Sequence, residues 1–557
     1  MDNTVSLAKV SLLIFLTSTA VIASFLSIGY YPGHDVGIHM SFWFEMARQW
    51  HEGVVYPRWA GASLFGYGDP GLLFYPPLSK ILGGALVALF PPRWALGTYA
   101  WIVLSLGGFS FFHLCHEFFD DRSSLVAAFT YIINPYNLIV LYFRCALGEF
   151  LAAALFPLFI LALYRLGKKG KQGVAALALM IGLFWLTNIP ASVIVNYAAA
   201  MLVVVLALAR RSKSILVHFL LSEVLGAGVA ACYLLPAWHQ QPWIDTSGIF
   251  GIDPLHNFLL GGRWYRDPSH FWVLLNASFL WQVFVGGLAC FAAWKFCPQR
   301  RDMLTALATI SAGGALLCLP VSGIVWKYGP FLSYVQFPWR CLFFISLAVA
   351  FFIGAALSQA PKLSGLAAAT CAYSLVILLA WSTVRYRTLD WNEFAAPFRS
   401  GAGFAASKDY VPRAVGDFKV SAPAPAWMPS PRLVILNSAA TDREASSPRQ
   451  TPSKPATFDV QSWQAESRIF TVDSPQPARV RVRLFYFPGW HVFVNGSEVR
   501  NLERDAHDVL VIPLPPGHSR VLLEFQSTPD EIAGIVISCL AAMVISALYL
   551  VKPIIPA

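Results

Sequence analysis

The stretch VSLLIFLTSTAVIASFLSIG, residues 10–29, decides the fold of this chain, and it contains no charged residue. A run of this length crosses the roughly 30 Å hydrocarbon core of a bilayer as a single helix. Apolar runs of about 17 to 25 residues recur along most of the 557-residue chain. Because 57% of the residues are hydrophobic and only 13% are charged, a water-soluble globular protein is excluded. The sequence predicts a polytopic α-helical membrane protein.

The first apolar run also has features of a secretory signal peptide, since Lys9 precedes it and small residues follow. The run is long for a signal core, and further apolar segments follow the next polar region. We therefore expect residues 8–29 to remain as the first membrane-spanning helix.

The net charge of +10 does not indicate nucleic-acid binding, because the basic residues gather in short clusters between apolar runs. Such clusters mark the cytoplasmic side of a membrane protein. The clusters comprise Arg165, Lys168, Lys169 and Lys171, then Arg210, Arg211 and Lys213, and then Lys295, Arg300 and Arg301.

If these clusters are cytoplasmic and successive spans alternate in direction, the chain has about 12 spans, with both termini cytoplasmic. Residues 76–91, PPLSKILGGALVALFP, are too short an apolar run to span, so we expect a helix that lies in the interface or dips into the membrane. The predicted spans are 8–29, 94–115, 122–141, 147–166, 172–187, 190–209, 214–235, 271–294, 303–320, 334–358, 364–383 and 530–551.

The composition changes between residues 384 and 529, where short runs alternate apolar and polar residues as strands do. Examples are ARVRVRLFYF at 478–487 and SRVLLEF at 519–525, with turn residues such as NGS at 495–497 between them. The predicted organisation is a transmembrane domain at 1–383 with a large first outward loop at 30–93, an extracytoplasmic, mainly β domain with a loosely ordered linker at 384–529, and a final transmembrane helix with a cytoplasmic tail at 530–557.

The first outward loop opens with GHDVGIHM, residues 33–40. If a helix begins near Asp35, then Asp35 and His39 lie one turn apart on the same face, with His34 beside them. Asp35 also suits the N-terminus of such a helix, so a capping role is an alternative. Asp35 and His39 are the candidates for binding a divalent cation, although their spacing matches no specific metal site and no cofactor is assigned.

Two further motifs place ionisable residues at the outer ends of predicted spans, where such residues are candidates for function. FRCALGEF carries Arg144 and Glu149, whose alternative role is a mutual ion pair that closes a helix hairpin. YVQFPWR carries Arg340, which either snorkels toward the interface or directs its planar guanidinium at a phosphate. The first outward loop adds Arg58, Tyr67, Asp69 and Lys80.

Several motifs together resemble a known family over most of residues 1–380. They are GHD, YPRW, GYGDPGLLFYPP, RCALGEF, TNIPA and VQFPWR. In these motifs the chain resembles the bacterial membrane proteins labelled 6-pyruvoyl-tetrahydropterin synthase-related, which in turn look like a branch of the GT-C superfamily of polytopic glycosyltransferases. The resemblance implies a polyprenyl-phosphate sugar donor and an acidic residue in the first outward loop. GHD supplies a single acid rather than the pair found in many metal-using members.

The resemblance and the residues together predict transfer of a hexosyl or pentosyl unit from a polyprenyl-phosphate donor to an extracytoplasmic glycan or lipid acceptor. Asp35 would accept the hydroxyl proton, with His34 and His39 assisting. The cations that would bind the donor phosphate are Arg144, Arg340, Arg58 and Lys80, and the supporting residues would be Glu149, Asp69 and Tyr67.

Two other functions remain open at this point. The first is a transporter or flippase of lipid-linked glycans, which Glu223 in a predicted span favours. The second is a non-catalytic scaffold whose β domain binds glycan. All three interpretations place the chain among membrane lipids of the bacterial inner membrane, without a nucleic-acid partner.

Overall fold

A computed structural model describes residues 6–28, 33–209, 211–261, 270–359, 396, 410–413, 432–436, 456–505 and 507–550. The described chain is mostly helical and ends in a β region followed by one more helix. The helices are α1 Leu7–Ile28, α2 Val36–His51, α3 Ser63–Gly66, α4 Gly71–Phe74, α5 Pro77–Leu89, α6 Ala95–His116, α7 Asp121–Ile132, α8 Pro135–Ile139, α9 Leu147–Leu166, α10 Gly170–Thr187, α11 Ile189–Ala209, α12 Lys213–Val229, α13 Ala231–Gln240, α14 Ser247–Phe250, α15 His270–Phe296, α16 Arg301–Leu317, α17 Gly323–Tyr328, α18 Leu342–Gln359 and α19 Pro529–Leu550.

Within the described residues, 8 helices are long and apolar enough to cross a membrane, or up to 10 if each of two bent pairs forms one span. The described residues therefore do not confirm the predicted number of 12, and the span expected at 364–383 lies outside them. The span expected at 214–235 is broken, since α12 and the segment 231–243 meet at 72°. A second bend of 88° separates 298–317 from 320–328, where Pro320 lacks the N–H that would continue the helix.

The expected short helix at 76–91 is present as α5, thirteen residues long. Glycines on α5 allow it to pack closely against α2: a Cβ on Gly83 would lie 1.8 Å from Cε2 of Trp43, and a Cβ on Gly84 would lie 2.6 Å from Cβ of Met46. Helices approach this closely only where one partner has no side chain. The first outward loop is thus a packed helical layer.

The β region contains two antiparallel sheets, as the alternating pattern predicts. One sheet has four strands in the order β1-β4-β8-β7 and the other has five in the order β2-β3-β9-β5-β6. Their inward residues, such as Val480, Val492 and Leu523, are fully buried. The strands are β1 Leu433–Leu436, β2 Thr457–Trp463, β3 Ser467–Ser474, β4 Ala478–Phe485, β5 Trp490–Val494, β6 Ser497–Glu498, β7 Glu503–Arg504, β8 Val509–Leu514 and β9 Gly517–Phe525.

The β region packs on the first outward loop through aromatic side chains. The fully buried Trp59 ring lies 5.7 Å from the rings of both Trp490 and Phe525, and Tyr67 lies 5.0 Å from Phe485. Offset and edge contacts at such distances are favourable for aromatic pairs. This packing fixes the loop, and with it α2, which carries the first residues of the candidate site.

Candidate functional site

A cavity of about 1180 Å³ lies where α2, α9, α11, α13 and the segment before α18 meet. Most of its wall is apolar or aromatic, as in Trp185, Val193, Leu234, Trp272 and Ile537. The ionisable side chains on its wall are His34, Asp35, His39, Arg144, Glu149 and Arg340. A large apolar pocket with a few convergent polar groups is the usual form of a ligand site.

Four of these side chains form a continuous series of ion pairs, here called the ionic chain: Asp35, Arg144, Glu149 and Arg340. Nη2 of Arg144 lies 3.0 Å from Oδ2 of Asp35, and its Nη1 lies 3.5 Å from Oε2 of Glu149. The same Glu149 oxygen accepts a hydrogen bond of 3.0 Å from Nε of Arg340. Asp35, Arg144 and Arg340, three of the predicted site residues, therefore meet at one cavity wall.

Backbone contacts hold the first two members of this series, Asp35 and Arg144, next to each other. The N–H groups of His34 and Asp35 donate to the carbonyls of Phe143 and Arg144, at 3.1 and 2.8 Å. Gly33 allows this approach, since a Cβ there would lie 2.5 Å from Sγ of Cys145. The glycine of GHD is thus required by close packing against the turn that precedes α9.

Arg340 is oriented on several sides. Besides Glu149, it donates from Nη1 to the Val335 carbonyl at 2.6 Å and to Oε1 of Gln336 at 3.3 Å. Its Nη2 makes no hydrogen bond to the residues that the structure describes. Arg340 therefore has donors left for a ligand.

The guanidinium carbon of Arg144 lies 4.9 Å from the ring centre of Trp339, a cation–π distance.

His39 is buried at 2% exposure and acts here as an acceptor. Its Nε2 accepts the Leu147 N–H at 3.0 Å, which places the ring proton on Nδ1, and the Tyr75 hydroxyl lies 3.3 Å from the same nitrogen. Burial lowers the pKa of His39 to about 4, so the ring is neutral near pH 7. His39 thus links α2 to the start of α9.

Asp35 is ionised and faces the cavity. Burial opposes its charge, but Arg144, His39 and Arg340 together outweigh that effect and hold the pKa of the carboxyl below its usual range. Burial, and then Arg144, lower the pKa of His34, whose ring lies 5.1 Å from that of Phe271. Although Asp35 precedes α2, its side chain makes no capping hydrogen bond. The capping alternative is therefore wrong for the side chain.

Within the described residues, no group of three or more His, Cys, Asp or Glu side chains could hold a metal ion. Nε2 of His39 already accepts the Leu147 N–H. The divalent cation proposed for Asp35 and His39 consequently stays a prediction without a complete ligand set.

The other predicted cations lie away from the cavity wall. Arg58 pairs with Glu466 at 3.2 Å and with Glu531, so its charge joins the β region to α19. Lys80 is 1% exposed and donates to the Leu72 carbonyl, and burial lowers the pKa of its amine to about 7. Of the four predicted phosphate ligands, only Arg144 and Arg340 line the cavity.

The supporting residues divide in the same way. Glu149 belongs to the ionic chain, whereas Asp69 and Tyr67 do not line the cavity. Asp69 accepts hydrogen bonds from the Ser63 hydroxyl and from the Gly71 N–H, at 2.7 Å for the latter, and burial raises the pKa of its carboxyl to about 7. Its role is to shape the loop.

Three aromatic residues of the site were not selected from the sequence. The Tyr136 hydroxyl donates to Oε1 of Glu149, Tyr75 lies beside His39, and Trp339 lies against Arg144. Trp339 directly precedes Arg340 in the VQFPWR motif, and this adjacency could have identified it from the sequence. Tyr136 had no such signal, because 15% of the chain is aromatic and tyrosines recur throughout the spans.

Comparison with known proteins gives likeness only to solved structures. No family model and no curated protein matches the chain, so the resemblance to the 6-pyruvoyl-tetrahydropterin synthase-related proteins is unsupported. The chain is similar to the oligosaccharyltransferase of Archaeoglobus fulgidus in complex with Zn and sulfate, at 17% identity and a TM-score of 0.43, over 70% of this chain and 54% of that one. For its apo form the values are 15% and 0.37, over 71% and 55%.

A third structure is archaeal oligosaccharyltransferase AglB from Archaeoglobus fulgidus in complex with an inhibitory peptide and a dolichol-phosphate. Identity is 16% and the TM-score is 0.31, over 71% of this chain and 55% of that one. The chain thus spans about half the length of these proteins. At such low TM-scores, function has to be argued from the geometry of the site itself.

Proposed function

We propose that the protein is a membrane glycosyltransferase that moves a hexosyl or pentosyl unit from a polyprenyl-phosphate donor to a hydroxyl of a glycan or lipid acceptor. One observation carries the proposal: the ionic chain of Asp35, Arg144, Glu149 and Arg340 lies at the wall of a large cavity that is otherwise mainly apolar. A ligand with an anionic head and a long apolar tail matches both parts of that surface.

The donor phosphate belongs beside Arg340 and Arg144. Arg340 has unused N–H donors, and a guanidinium binds phosphate oxygens with a matching planar geometry. The tail would follow the apolar wall toward Trp238 and Ile537, which are 67% and 42% exposed on spanning segments and so face lipid.

The chemistry uses these groups in defined roles. The acceptor oxygen forms a bond to the anomeric carbon, while the bond from that carbon to the phosphate oxygen breaks and its electron pair stays on the phosphate. The hydroxyl proton passes to the carboxylate of Asp35. Arg144 and Arg340 stabilise the charge that develops on the leaving phosphate.

The arrangement of the helices supports an extracytoplasmic site. The basic clusters lie where α9 joins α10, α11 joins α12 and α15 joins α16. The cavity lies at the opposite ends, near Glu149 at the start of α9 and Ile189 at the start of α11. Because basic loops face the cytoplasm, we place the cavity and the β region outside the bacterial inner membrane, with both termini inside.

Replacement of Asp35 by Asn tests the proposal. Purified protein in nanodiscs would be incubated with synthetic polyprenyl-phosphate hexoses and pentoses and with envelope glycolipid acceptors, and sugar transfer would be measured. We expect Asp35→Asn to lower kcat by about 100-fold or more while the thermal transition remains. The matched control is Asp473→Asn, since Asp473 pairs with His518 on the exposed surface of the β region.

Three outcomes would overturn the proposal. They are absence of transfer by the wild type with every donor, undiminished transfer by Asp35→Asn, and movement of intact donor across the bilayer without sugar transfer. The last result would identify a flippase.

A further inference from the structure

The charges of the ionic chain balance one another. Asp35 and Glu149 contribute two carboxylates, and Arg144 and Arg340 contribute two guanidiniums. The four side chains therefore carry no net charge, and an arriving phosphate would make the site net negative. Because both guanidiniums are already paired with carboxylates, a phosphate that pairs with one of them competes with a carboxylate for it.

The two carboxylates differ in how firmly they are held. Glu149 has a side chain only 4% exposed, and it accepts from Arg144, Arg340 and the Tyr136 hydroxyl. Asp35 has a side chain 32% exposed, and Arg144 is its one ion-pair partner among the described residues. The member of the series that can leave is therefore Asp35.

Arg144 would stay in place during such an exchange. Its guanidinium lies over the rings of Phe337 and Trp339, at 5.4 and 4.9 Å, and it retains Glu149 as a second partner. Three contacts besides the Asp35 pair hold its guanidinium, so we expect it to change partner with little movement.

We propose that Asp35 and the donor phosphate compete for Arg144, so that binding of the donor releases the Asp35 carboxylate toward the acceptor hydroxyl. This inference depends on the proposed function, because the competing anion is the phosphate of the lipid-linked donor. Before the donor binds, the carboxylate is engaged by Arg144, and the general base is released only when a lipid-linked phosphate occupies the site.

The surroundings of Asp35 favour a stronger base after the exchange. The titratable and charged groups around it are His34, His39, Tyr75, Arg144, Cys145, Arg340 and Glu149. Arg144 supports the low pKa of Asp35, whereas His39 is neutral near pH 7. With Arg144 engaged by phosphate and the phosphate charge nearby, the pKa of the carboxyl rises and proton transfer to it becomes easier.

The test is a binding measurement without chemistry. Farnesyl phosphate, which carries the phosphate and an isoprenoid tail but no sugar, would be titrated onto the protein in nanodiscs. We expect Asp35→Asn to bind it on the order of tenfold more tightly than the wild type, because the competing anion is gone. Asp35→Glu keeps the charge and should bind with nearly wild-type affinity, and Arg144→Met should bind more weakly.

The outcomes separate this inference from the proposed function. If Asp35→Asn binds farnesyl phosphate as the wild type does, or more weakly, the competition is refuted while a phosphate site remains. If the wild type and both Asp35 variants fail to bind the probe, the phosphate site itself is refuted. Should Asp35→Asn fail to fold, Asp35→Ala removes the same charge: tighter binding of the probe by Asp35→Ala than by Asp35→Glu would support competition, whereas equal or weaker binding would refute it.

Discussion

At the residue scale, four side chains far apart in the sequence meet in one group, and their types allowed part of that group to be predicted. Arg144, Glu149 and Arg340 were selected because ionisable residues at the ends of spans are candidates for function, and Asp35 was selected from the GHD motif of the first outward loop. Arg58 and Lys80 were selected as further ionisable residues of that loop, but their side chains lie away from the cavity. The sequence around a basic loop residue does not show which residue it pairs with. Glu466, one partner of Arg58, lies 408 positions away.

The geometry of the Arg340 guanidinium is the basis of one prediction. A lysine has a single nitrogen and cannot contact Glu149, Val335 and Gln336 as well as a phosphate. We expect Arg340→Lys to lower kcat/KM for the lipid-phosphate donor by roughly tenfold or more. Steady-state kinetics would measure this, with Arg520→Lys on the exposed surface of the β region as control. Equal kinetics in the two variants would contradict the role of Arg340.

The neutrality of His39 gives a prediction about pH. Because burial lowers its pKa to about 4, His39 is protonated only below that value and contributes no ionisation near pH 6. A glutamine oxygen can accept the Leu147 N–H in place of Nε2. We expect His39→Gln to retain activity and to give the wild-type pH–rate profile above about pH 5, whereas His39→Phe loses activity. An acid limb near pH 6 that disappears in His39→Gln would contradict this assignment.

At the scale of the element, the sequence indicated where most helices lie but not where they bend. Hydropathy treated 214–235 and 303–320 as straight spans, although each belongs to a pair bent by more than 40°. Bending leaves the mean apolar character of a segment unchanged, so hydropathy cannot register it. The short helix α5 was predicted, because its apolar run is too short to span, whereas its packing against α2 was not.

Packing between α5 and α2 can be tested with a pair of glycine substitutions. Gly83→Ala places a Cβ against Trp43, so we expect it to reduce the free energy of unfolding by about 1–3 kcal/mol. Gly97 on α6 has no atom within 4 Å of its Cβ position, and Gly97→Ala should be neutral or stabilise by up to about 1 kcal/mol. Unfolding in detergent would be followed by circular dichroism. Similar effects of the two substitutions would show that α2 and α5 are not closely packed.

At the scale of the whole molecule, the β region and the membrane helices are joined by contacts that the sequence could not reveal. Alternation predicted the strands, but the packing of Trp59 on Trp490 and Phe525 joins positions more than 400 residues apart. Arg58 adds a buried ionic contact, with a side chain 12% exposed between Glu466 and Glu531. Burial raises the pKa of Glu466, and the charge of Arg58 offsets part of that rise.

The Arg58 contact predicts a large difference between two arginine substitutions. Arg58→Met leaves two buried carboxylates without their cation and should cost about 3–5 kcal/mol of stability. Arg479→Met removes a pair with Glu503 that is 48% and 43% exposed and should cost at most about 1 kcal/mol. Thermal unfolding and the rate of tryptic cleavage of the β region would measure both. Equal losses would mean that Arg58 does not join the two parts.

The position of α19 has a consequence for biosynthesis. Its Gly534 approaches the Ala231 carbonyl, its Ser538 hydroxyl accepts the Cys232 N–H at 2.8 Å, and Ile537 forms part of the cavity wall. Since α19 is synthesised after every other described helix, this part of the cavity wall is the last of the described helices to be made. The wall is therefore complete only after residues 529–550 have been made and have packed against α13, and we expect premature termination within the β region to leave the cavity incomplete.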